Sequence, residues 1–272
     1  MITSANNQQL KQVSALLKKS KERREKKAFV VEGPKMVAEA PTESLKAVYV
    51  AESYEKNPEN QALLKELAGK CKDSNAIFET VADGVFKNVS DTQTPQGIMA
   101  VVAMPEYHLE QLLDGRQTHL LILESIQDPG NLGTMVRTGE GAGITGIIMN
   151  KTTVDLFNPK TIRSTMGSIY RIPFYITEDL SKTMDILKKE GVSLYAAHLK
   201  GKQYYTEENY TKACGFLIGN EGNGLSDEIA NQADTYIKIP MEGKVESLNA
   251  AISATLLMYE ANRQRRMGKD LR

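Results

Sequence analysis

The sequence predicts an α/β protein whose C-terminal half contains a parallel sheet. Short apolar runs with strand character alternate along the chain with segments of helical periodicity, a pattern typical of parallel sheets covered by helices. Several apolar runs end in loops that are marked by glycine or proline and that carry polar residues at a helix entrance. Because ligands bind at the carboxyl ends of strands in open α/β sheets, we expect the functional site in these loops.

Composition is that of a globular protein. The chain has 272 residues, of which 41% are hydrophobic and 25% charged, enough for one large core or two modest ones. No apolar run reaches the ~18 residues of a membrane span, and the N-terminus is polar from Ser4 onward, so we expect neither a span nor a secretion signal. Cys71 and Cys214 match no metal spacing and favour a reducing compartment. The sequence therefore predicts a cytoplasmic protein without a metal site.

Residues 1–104 predict a first, small α/β unit. Its expected elements are an amphipathic helix over 3–28 that buries one face, strands at 29–31, 45–50, 75–80 and 98–103, and helices at 35–40, 61–70 and from 81 onward. The apolar face of the first helix consists of Leu10, Val13, Leu16 and Leu17. Residues 105–118 are polar and indicate a linker.

Residues 119–272 predict a second unit with β-α alternation. Strands are expected at 119–124, 144–149, 173–176, 194–197, 216–218 and 236–239, and helices at 132–141, 158–164 and 180–189. Ser226 and Asp227 are expected to cap a short helix, and residues 247–249 to open a long one.

The charge distribution favours a polyanionic partner, although the formal net charge is +0. Residues 11–27 contain eight basic residues and only two acidic ones, Glu22 and Glu25. A second basic cluster begins at Arg263. Lysine and arginine clusters bind phosphates, although a solvated helix face is the commoner origin of a single charge run. The candidates for RNA contact in the first cluster are Lys18, Lys19, Arg23 and Arg24.

The sequence offers no phosphate-binding turn and no common hydrolase motif. Gly139, Gly141 and Gly143 suggest a dinucleotide-binding turn, but these glycines fall in or after a helix and not in the strand-to-helix turn that holds a pyrophosphate. The chain has no P-loop, no G-x-S-x-G elbow and no H-E-x-x-H motif, and its three histidines are scattered. A nucleotide-dependent oxidoreductase is therefore excluded.

Polar residues that follow the predicted strands of the second unit form the candidate catalytic set. The set comprises Asn131, Arg137, Glu221, Ser247 and Asn249. Taken singly each has an ordinary explanation, since asparagine and serine are good helix N-caps and a lone arginine is most often a helix-face charge. Their common placement at one edge of a parallel sheet is what makes them candidates.

Three segments that carry this set resemble the three motifs of the SpoU (TrmH-like) RNA ribose 2′-O-methyltransferases. The segments are DPGNLGTMVRTGEGAG, GFLIGNEGNGLS and IKIPMEGKVESLNAAISATLLMYE, in the family's order and spacing. The stretch RSTMGSIYRIP also resembles the family. The N-terminal ITSANNQQLKQVSALLKKSKERREKKAFVVEG resembles the L30e-like substrate-binding domain that many members place first.

The resemblance implies a fold of the SPOUT superfamily, in which a deep trefoil knot, here roughly residues 194–259, holds S-adenosylmethionine. Such threading is a rare exception to the rule that chains are not knotted. Carried over by position, the cofactor-contacting residues are Leu199, Gly201, Gly219, Ile239, Leu248 and Asn249. The family also implies a homodimer with the active site near the subunit interface.

The implied reaction is transfer of a methyl group from S-adenosylmethionine to a ribose 2′-hydroxyl of RNA. The resemblance assigns Arg137 to the reacting hydroxyl or its phosphate, while Asn131, Glu221, Ser247 and Asn249 orient it, the ribose or the cofactor. Because guanidinium groups stay protonated in proteins, we expect Arg137 to stabilise charge rather than to act as a base. Ribosomal RNA is the expected substrate, and transfer RNA is the alternative substrate. The alternative function is that of a catalytically silent RNA-binding assembly factor.

Overall fold

The protein, described by a computed structural model over residues 1–267, divides into two compact units. The first comprises Met1–Glu106 together with Phe157–Tyr170, and the second comprises Tyr107–Leu156 and the chain from Arg171 onward. No helix among these described residues is both long enough and apolar enough to cross a membrane.

The elements alternate along the chain as the sequence predicts, with several boundaries moved by a few residues. The helices are α1 Gln8–Lys18, α2 Ser20–Lys26, α3 Pro34–Ala38, α4 Glu52–Lys56, α5 Gln61–Ser74, α6 Asp83–Val89, α7 Pro129–Ala142, α8 Pro159–Thr165, α9 Leu180–Lys189, α10 Asp227–Ala230 and α11 Ala250–Met267. The strands are β1 Ala28–Glu32, β2 Leu45–Ala51, β3 Ile77–Val81, β4 Ile98–Ala103, β5 His119–Leu123, β6 Gly146–Asn150, β7 Phe174–Thr177, β8 Ser193–Ala197, β9 Gln203–Tyr204, β10 Cys214–Ile218 and β11 Thr235–Lys238. The short helix α4 and the two-residue strand β9 were not predicted.

The first unit is built on a four-stranded sheet in the order β1-β4-β2-β3. Strand β4 is antiparallel to both of its neighbours, and β2 pairs with β3 in parallel. The predicted apolar face of α1 is confirmed, because Leu10, Val13, Leu16 and Leu17 are buried in one cluster with side chains of this sheet.

The single helix predicted over residues 3–28 is wrong, because the chain breaks between α1 and α2. Lys19 is extended there, with φ −124° and ψ 115°. Arg23 is buried, and its Nη1 donates to the carbonyl oxygens of Leu16 (2.6 Å) and Leu17 (3.2 Å). These carbonyls lie in the last turn of α1, where helical partners are missing, so the guanidinium caps α1 across the break.

Residues 157–170 belong to the first unit although they are distant in sequence. The ring of Phe157 lies 4.8 Å from that of Phe29, and the Tyr170 hydroxyl donates to the Met36 carbonyl oxygen at 3.0 Å. Arg163 of α8 pairs with Asp91 at 2.9 Å. The first unit is therefore built from two separate stretches of the chain. The predicted division at 1–104, 105–118 and 119–272 assumes that each unit is one continuous stretch.

The second unit contains a seven-stranded sheet in the order β7-β6-β5-β10-β8-β11-β9, in which every pairing is parallel. This confirms the predicted parallel sheet. On β5, Leu120 and Ile122 lie in a core cluster with α9, while Leu121 and Leu123, which alternate to the opposite face, are equally buried. Both faces of the central strand are therefore covered.

Two features tie the ends of the second unit together. Leu109 and Leu112, from the stretch that its polarity predicted to be a linker, are buried in the core of this unit. Near the end of α11 the Arg265 guanidinium donates to the carbonyl oxygens of Tyr210, Gln117, Thr118 and Lys212 at 2.7–2.9 Å. Arg265, which the sequence placed in the C-terminal basic cluster, therefore stabilises the fold of this unit. Lys269 and Arg272 of the same cluster lie outside the described residues.

Candidate active site

The carboxyl ends of β5, β8, β10 and β11 lie at one edge of the sheet because all of these strands are parallel. The loops that follow β8, β10 and β11 enclose a cavity of about 340 Å³. Its wall is formed by residues 197–199, 218–225, 237–239, 241, 246–248, 250 and 253. The cavity therefore lies where open α/β sheets bind ligands.

Most residues assigned to a cofactor by the family resemblance lie on this wall. Leu199, Gly219, Ile239 and Leu248 line the cavity, together with Glu221 and Ser247 from the candidate catalytic set. Gly201 and Asn249 are not part of the wall. Binding by these residues stays a prediction, but their grouping is what a cofactor site in this cavity requires.

Gly219 must be glycine because of the path of the chain at the end of β10. A Cβ at this position would lie 2.1 Å from the Gly224 carbonyl carbon and 2.1 Å from the Leu225 nitrogen, both backbone atoms. The loop folds back on itself there, with Asn220 and Gly224 exchanging two backbone hydrogen bonds of 3.0 and 2.9 Å. A side chain at position 219 would push this wall of the cavity apart.

Gly201 is buried against β11 rather than facing the cavity. A Cβ on it would lie 2.9 Å from the Ile237 carbonyl carbon and 3.0 Å from the His198 carbonyl oxygen. The backbone nitrogen of Gly201 donates to that oxygen at 2.9 Å. Gly201 therefore permits the tight turn that presents Leu199 to the cavity.

The Glu221 carboxylate joins the loop after β10 to the start of α7. Its Oε2 accepts from the Gln127 backbone nitrogen at 2.9 Å, and its Oε1 accepts from the Asp128 backbone nitrogen at 3.1 Å and from Asn131 Nδ2 at 3.0 Å. Partial burial acts to raise the pKa of Glu221, but these donors outweigh it and leave the pKa below its ordinary value. A carboxylate held in this way orients its neighbours and is poorly suited to accept a proton.

Asn131 extends this network to the long C-terminal helix. Its Oδ1 accepts from Asn249 Nδ2 at 3.0 Å, and Asn249 Oδ1 in turn accepts from the backbone nitrogens of Ala251 (2.8 Å) and Ile252 (3.3 Å). Asn249 is therefore the N-cap of α11, and α7 is capped by Asp128, which accepts from the Asn131 nitrogen at 2.9 Å. The alternative explanation of Asn131 and Ser247 as N-caps is thus wrong for both residues.

Arg137 is not joined to the Glu221–Asn131–Asn249 network. It lies on α7 six residues beyond Asn131, about 9 Å along the helix axis. Its side chain is exposed, and within residues 1–267 its guanidinium makes no hydrogen bond or ion pair. Ser247 is likewise exposed and makes no side-chain hydrogen bond within the described part of the chain. The structure thus assembles three members of the candidate set and leaves two open to a ligand.

The predicted RNA contacts of the first unit differ in accessibility. Lys18 of α1, Arg24 of α2 and Lys19 at the break between them are exposed and make no ion pair to another residue of the described chain. Arg23, which was grouped with them, is buried as the cap described above. The sequence could have distinguished Arg23 from the exposed residues, since it follows Leu16 by seven residues, or two helical turns, and so falls on the same helix face as the apolar residues. Within residues 1–267 no cluster of three or more His, Cys, Asp or Glu side chains could hold a metal ion.

Sequence reasoning missed three polar residues next to the network. The Gln127 backbone nitrogen donates to Glu221, and the Ser125 carbonyl oxygen accepts from the side chains of Gln127 and Asn220; all three residues lie within or beside the quoted motifs. Their side chains were overlooked because polar loop residues next to glycine or proline are common in turns.

Comparison with known proteins identifies the family. Residues 118–259 match the SpoU rRNA Methylase family, and residues 7–100 match the MRM3-like substrate binding domain. The chain belongs to the SpoU rRNA methylase family.

Three relatives are similar to this protein over nearly the whole chain. The 23S rRNA (guanosine(2553)-2′-O)-methyltransferase RlmP of Bacillus subtilis is 35% identical, over 95% of this chain and 97% of that protein. An AdoMet-bound rRNA methyltransferase from Sinorhizobium meliloti superposes with a TM-score of 0.85 at 29% identity, covering 96% of this chain and 97% of that one. The SpoU methyltransferase AviRb from Streptomyces viridochromogenes, in complex with AdoMet, gives a TM-score of 0.83 at 25% identity, covering 96% and 99%. This SpoU family member therefore shares both of its units with these relatives.

Proposed function

We propose that this SpoU family protein transfers a methyl group from S-adenosylmethionine to a ribose 2′-hydroxyl of RNA, and that the RNA is 23S-type ribosomal RNA. The observation that carries the proposal is the Glu221–Asn131–Asn249 network beside the cavity at the strand ends. Its support is the 35% identity to RlmP over 95% of the chain. A cytoplasmic location follows from this substrate.

The cavity fits S-adenosylmethionine in both size and chemistry. A volume of about 340 Å³ is in the range of small-molecule sites. The wall combines apolar side chains such as Leu199 and Leu248 with the close backbone of Gly219, which can donate and accept hydrogen bonds. When bound, the cofactor supplies an electrophilic methyl group on a sulfonium sulfur.

The contribution of the protein is to orient the RNA and to stabilise charge. The exposed Arg137 guanidinium binds the phosphate next to the target ribose and stabilises negative charge developing on the 2′-oxygen. Asn131 and Asn249, fixed by Glu221, hold the ribose and the cofactor in register. Positioning of this kind supplies much of the rate of such a reaction, because effective molarities in well-oriented sites are very high.

The first unit binds the RNA. Lys18, Lys19 and Arg24 offer unpaired positive charge to phosphates, a sequence-independent interaction. The match of residues 7–100 to a substrate-binding domain supports this assignment. The target nucleotide is then selected by the shape of the RNA around the reactive ribose.

A homodimer completes the site in this proposal. Ile252 and Tyr259 are 50% and 46% exposed, and their spacing of seven residues puts them on one face of α11. Such an apolar face favours a second copy of the chain, and the open Arg137 is available to a partner's network. An Arg137→Ala chain mixed with a Glu221→Gln chain should then regain activity, because one of the two sites in a heterodimer is intact. Sites contained within single chains would stay inactive in every mixture.

The test of activity uses labelled S-adenosylmethionine with ribosomal and transfer RNA that lack modifications. We expect label in ribosomal RNA at a position that resists alkaline cleavage, as a 2′-O-methylated ribose does. Arg137→Ala should abolish the transfer and leave cofactor binding intact. Arg116→Ala, which removes another exposed arginine of the second unit, is the matched control and should be active.

The other outcomes separate the alternatives. Label in transfer RNA alone would replace ribosomal RNA as the substrate. Cofactor binding without transfer to naked RNA, followed by transfer to ribosomal assembly intermediates, would keep the reaction and change the form of the substrate. Neither binding nor transfer would leave a silent RNA-binding protein.

A further inference from the structure

Ser125, in the loop after β5, has a backbone conformation that serine rarely adopts. Its φ is +57°, in the left-handed region that favours glycine, asparagine and aspartate. The residue lies three positions before Asp128, the N-cap of α7, so its conformation sets the direction in which the chain enters the site. Strain at such a place persists only where the surroundings hold it.

Asn150, the last residue of the neighbouring strand β6, holds Ser125 in this conformation. Asn150 Oδ1 accepts from the Ser125 backbone nitrogen at 2.9 Å and from Thr153 Oγ1 at 2.9 Å, while its Nδ2 donates to Ser125 Oγ at 3.1 Å. Ser125 Oγ also contacts Thr152 Oγ1 at 2.6 Å. The donors and acceptors of one asparagine side chain thus fix both the backbone and the side chain of Ser125.

The left-handed turn presents the Ser125 carbonyl oxygen to the two motif loops. This oxygen accepts from Asn220 Nδ2 at 2.9 Å and from Gln127 Nε2 at 3.0 Å. Asn220 Oδ1 in turn accepts from the backbone nitrogens of Gly222 (2.9 Å) and Asn223 (3.1 Å), which belong to the cavity wall. Ser125 is therefore the point at which the loop after β5 is joined to the loop after β10.

The same turn places the two backbone donors that fix Glu221. The nitrogens of Gln127 and Asp128 follow Ser125 by two and three residues, and both bind the Glu221 carboxylate. A change of the Ser125 backbone would turn these donors away, and Glu221 would lose two of its three partners there. Asn131 and, through it, Asn249 would then lose their fixed orientation.

We propose that Asn150 is a positioning residue for methyl transfer, which acts through Ser125 on the Glu221–Asn131–Asn249 network without touching the cavity. This inference rests on the proposed function. Asn150 does not line the cavity, and its side-chain hydrogen bonds all go to residues 125 and 153. It comes from strand β6, outside the three motifs.

The test compares Asn150→Ala with Asn150→Asp and with the double variant Asn150→Ala/Ser125→Gly. Asn150→Ala should lower kcat roughly 10- to 100-fold, as small displacements of reacting groups do, with a much smaller change in the KM for S-adenosylmethionine. Asn150→Asp keeps the acceptor for the Ser125 nitrogen and should lose less. Because glycine adopts a φ of +57° without strain, Ser125→Gly should restore much of the loss.

A matched control and a readout independent of activity accompany these variants. Asn209→Ala removes an exposed asparagine of the same unit whose Oδ1 also accepts from a backbone nitrogen (3.0 Å) and a threonine hydroxyl (2.6 Å), and it should leave kcat unchanged. Hydrogen exchange of the Ser125, Gln127 and Asp128 amides should accelerate in Asn150→Ala and slow again in the double variant. If Asn150→Ala does not fold, Asn150→Asp carries the same comparison.

Two results would overturn the inference. The first is an unchanged kcat in Asn150→Ala. The second is a loss of kcat that Ser125→Gly does not restore while amide exchange at Gln127 and Asp128 stays as in the unchanged protein. An unchanged protein that methylates no RNA is a failure of the proposed function instead, and the exchange measurement then still decides whether Asn150 holds the network.

Discussion

At the scale of single residues, His119 shows how strongly the interior constrains a titratable group. The side chain is fully buried at the start of β5, and neither ring nitrogen has a hydrogen-bond partner among residues 1–267. Burial, and after it the positive charge of Arg265, lower the pKa of His119 to about 3. The imidazole is therefore neutral in the folded protein near pH 7.

This pKa predicts a specific acid sensitivity. An unfolded histidine titrates near pH 6.5, so between 6.5 and about 3 the unfolded chain binds a proton that the folded chain does not. The contribution of the neutral His119 to the free energy of unfolding is fully present above pH 6.5. It is lost as the pH falls below that value, by up to about 1.4 kcal/mol per pH unit. His119→Leu should remove this slope, as measured by urea unfolding between pH 4 and 8. Equal slopes in the two proteins would contradict the assignment.

The residue scale is also where prediction from the sequence was least complete. The motif resemblance named Glu221, Asn131 and Asn249, and the hydrogen bonds join all three. It did not indicate Asn150, because in our proposal that residue affects the site only by holding the backbone conformation of Ser125. A backbone angle has no direct signature in one sequence, so residues that act through it stay invisible until the structure is known.

At the scale of elements, strands were predicted well because their apolar runs are short and fully buried. Strand β4 and helix α9 have the predicted bounds, and β10 extends only two residues further at its start. The break between α1 and α2 was missed, since residues 18–27 contain neither glycine nor proline to mark the end of a helix. The residue that signals the break is the buried Arg23, a polar side chain where the period requires an apolar one.

The turn that ends β10 supports a prediction of its own. Gly219→Ala should weaken binding of S-adenosylmethionine at least tenfold, because the added Cβ would meet backbone atoms of residues 224 and 225 that cannot move without opening the loop. Calorimetric titration with the cofactor is the measurement. Gly243→Ala is the matched control, since an added Cβ there has no atom within 4 Å. Equal cofactor affinity in the two variants would remove Gly219 from the binding site.

At the scale of the whole molecule, composition and β-α alternation predicted two α/β units and the parallel sheet, and the family resemblance added what periodicity cannot supply. Strand β10 pairs with both β5 and β8, so a late strand lies between two earlier ones. The trefoil knot is compatible with that order and stays a prediction. The assignment of residues 157–170 to the first unit could not be anticipated, because contacts such as Phe29 with Phe157 join distant parts of the chain.

The basic surface of α1 and α2 predicts the affinity of the protein for RNA and the dependence of that affinity on salt. Changing Lys18, Lys19 and Arg24 together to glutamine should weaken RNA binding and reduce the slope of log affinity against log salt by about 2–3, since each phosphate contact contributes about 0.7–0.9. Cofactor affinity and kcat at saturating RNA should not change, because the catalytic network belongs to the second unit. Filter binding at several salt concentrations measures the slope.

The control for this experiment removes the same charge from two other helices of the first unit. Lys65, Lys72 and Lys87 are exposed on α5 and α6, and their change to glutamine should leave the salt slope unaltered if RNA lies along α1 and α2. Arg23→Gln should behave differently from both, lowering the thermal stability rather than the salt slope, because its guanidinium caps α1 from the inside. A salt slope that falls equally in both triple variants would mean that RNA is attracted by overall charge and not by this face, and the first unit would then need another recognition surface.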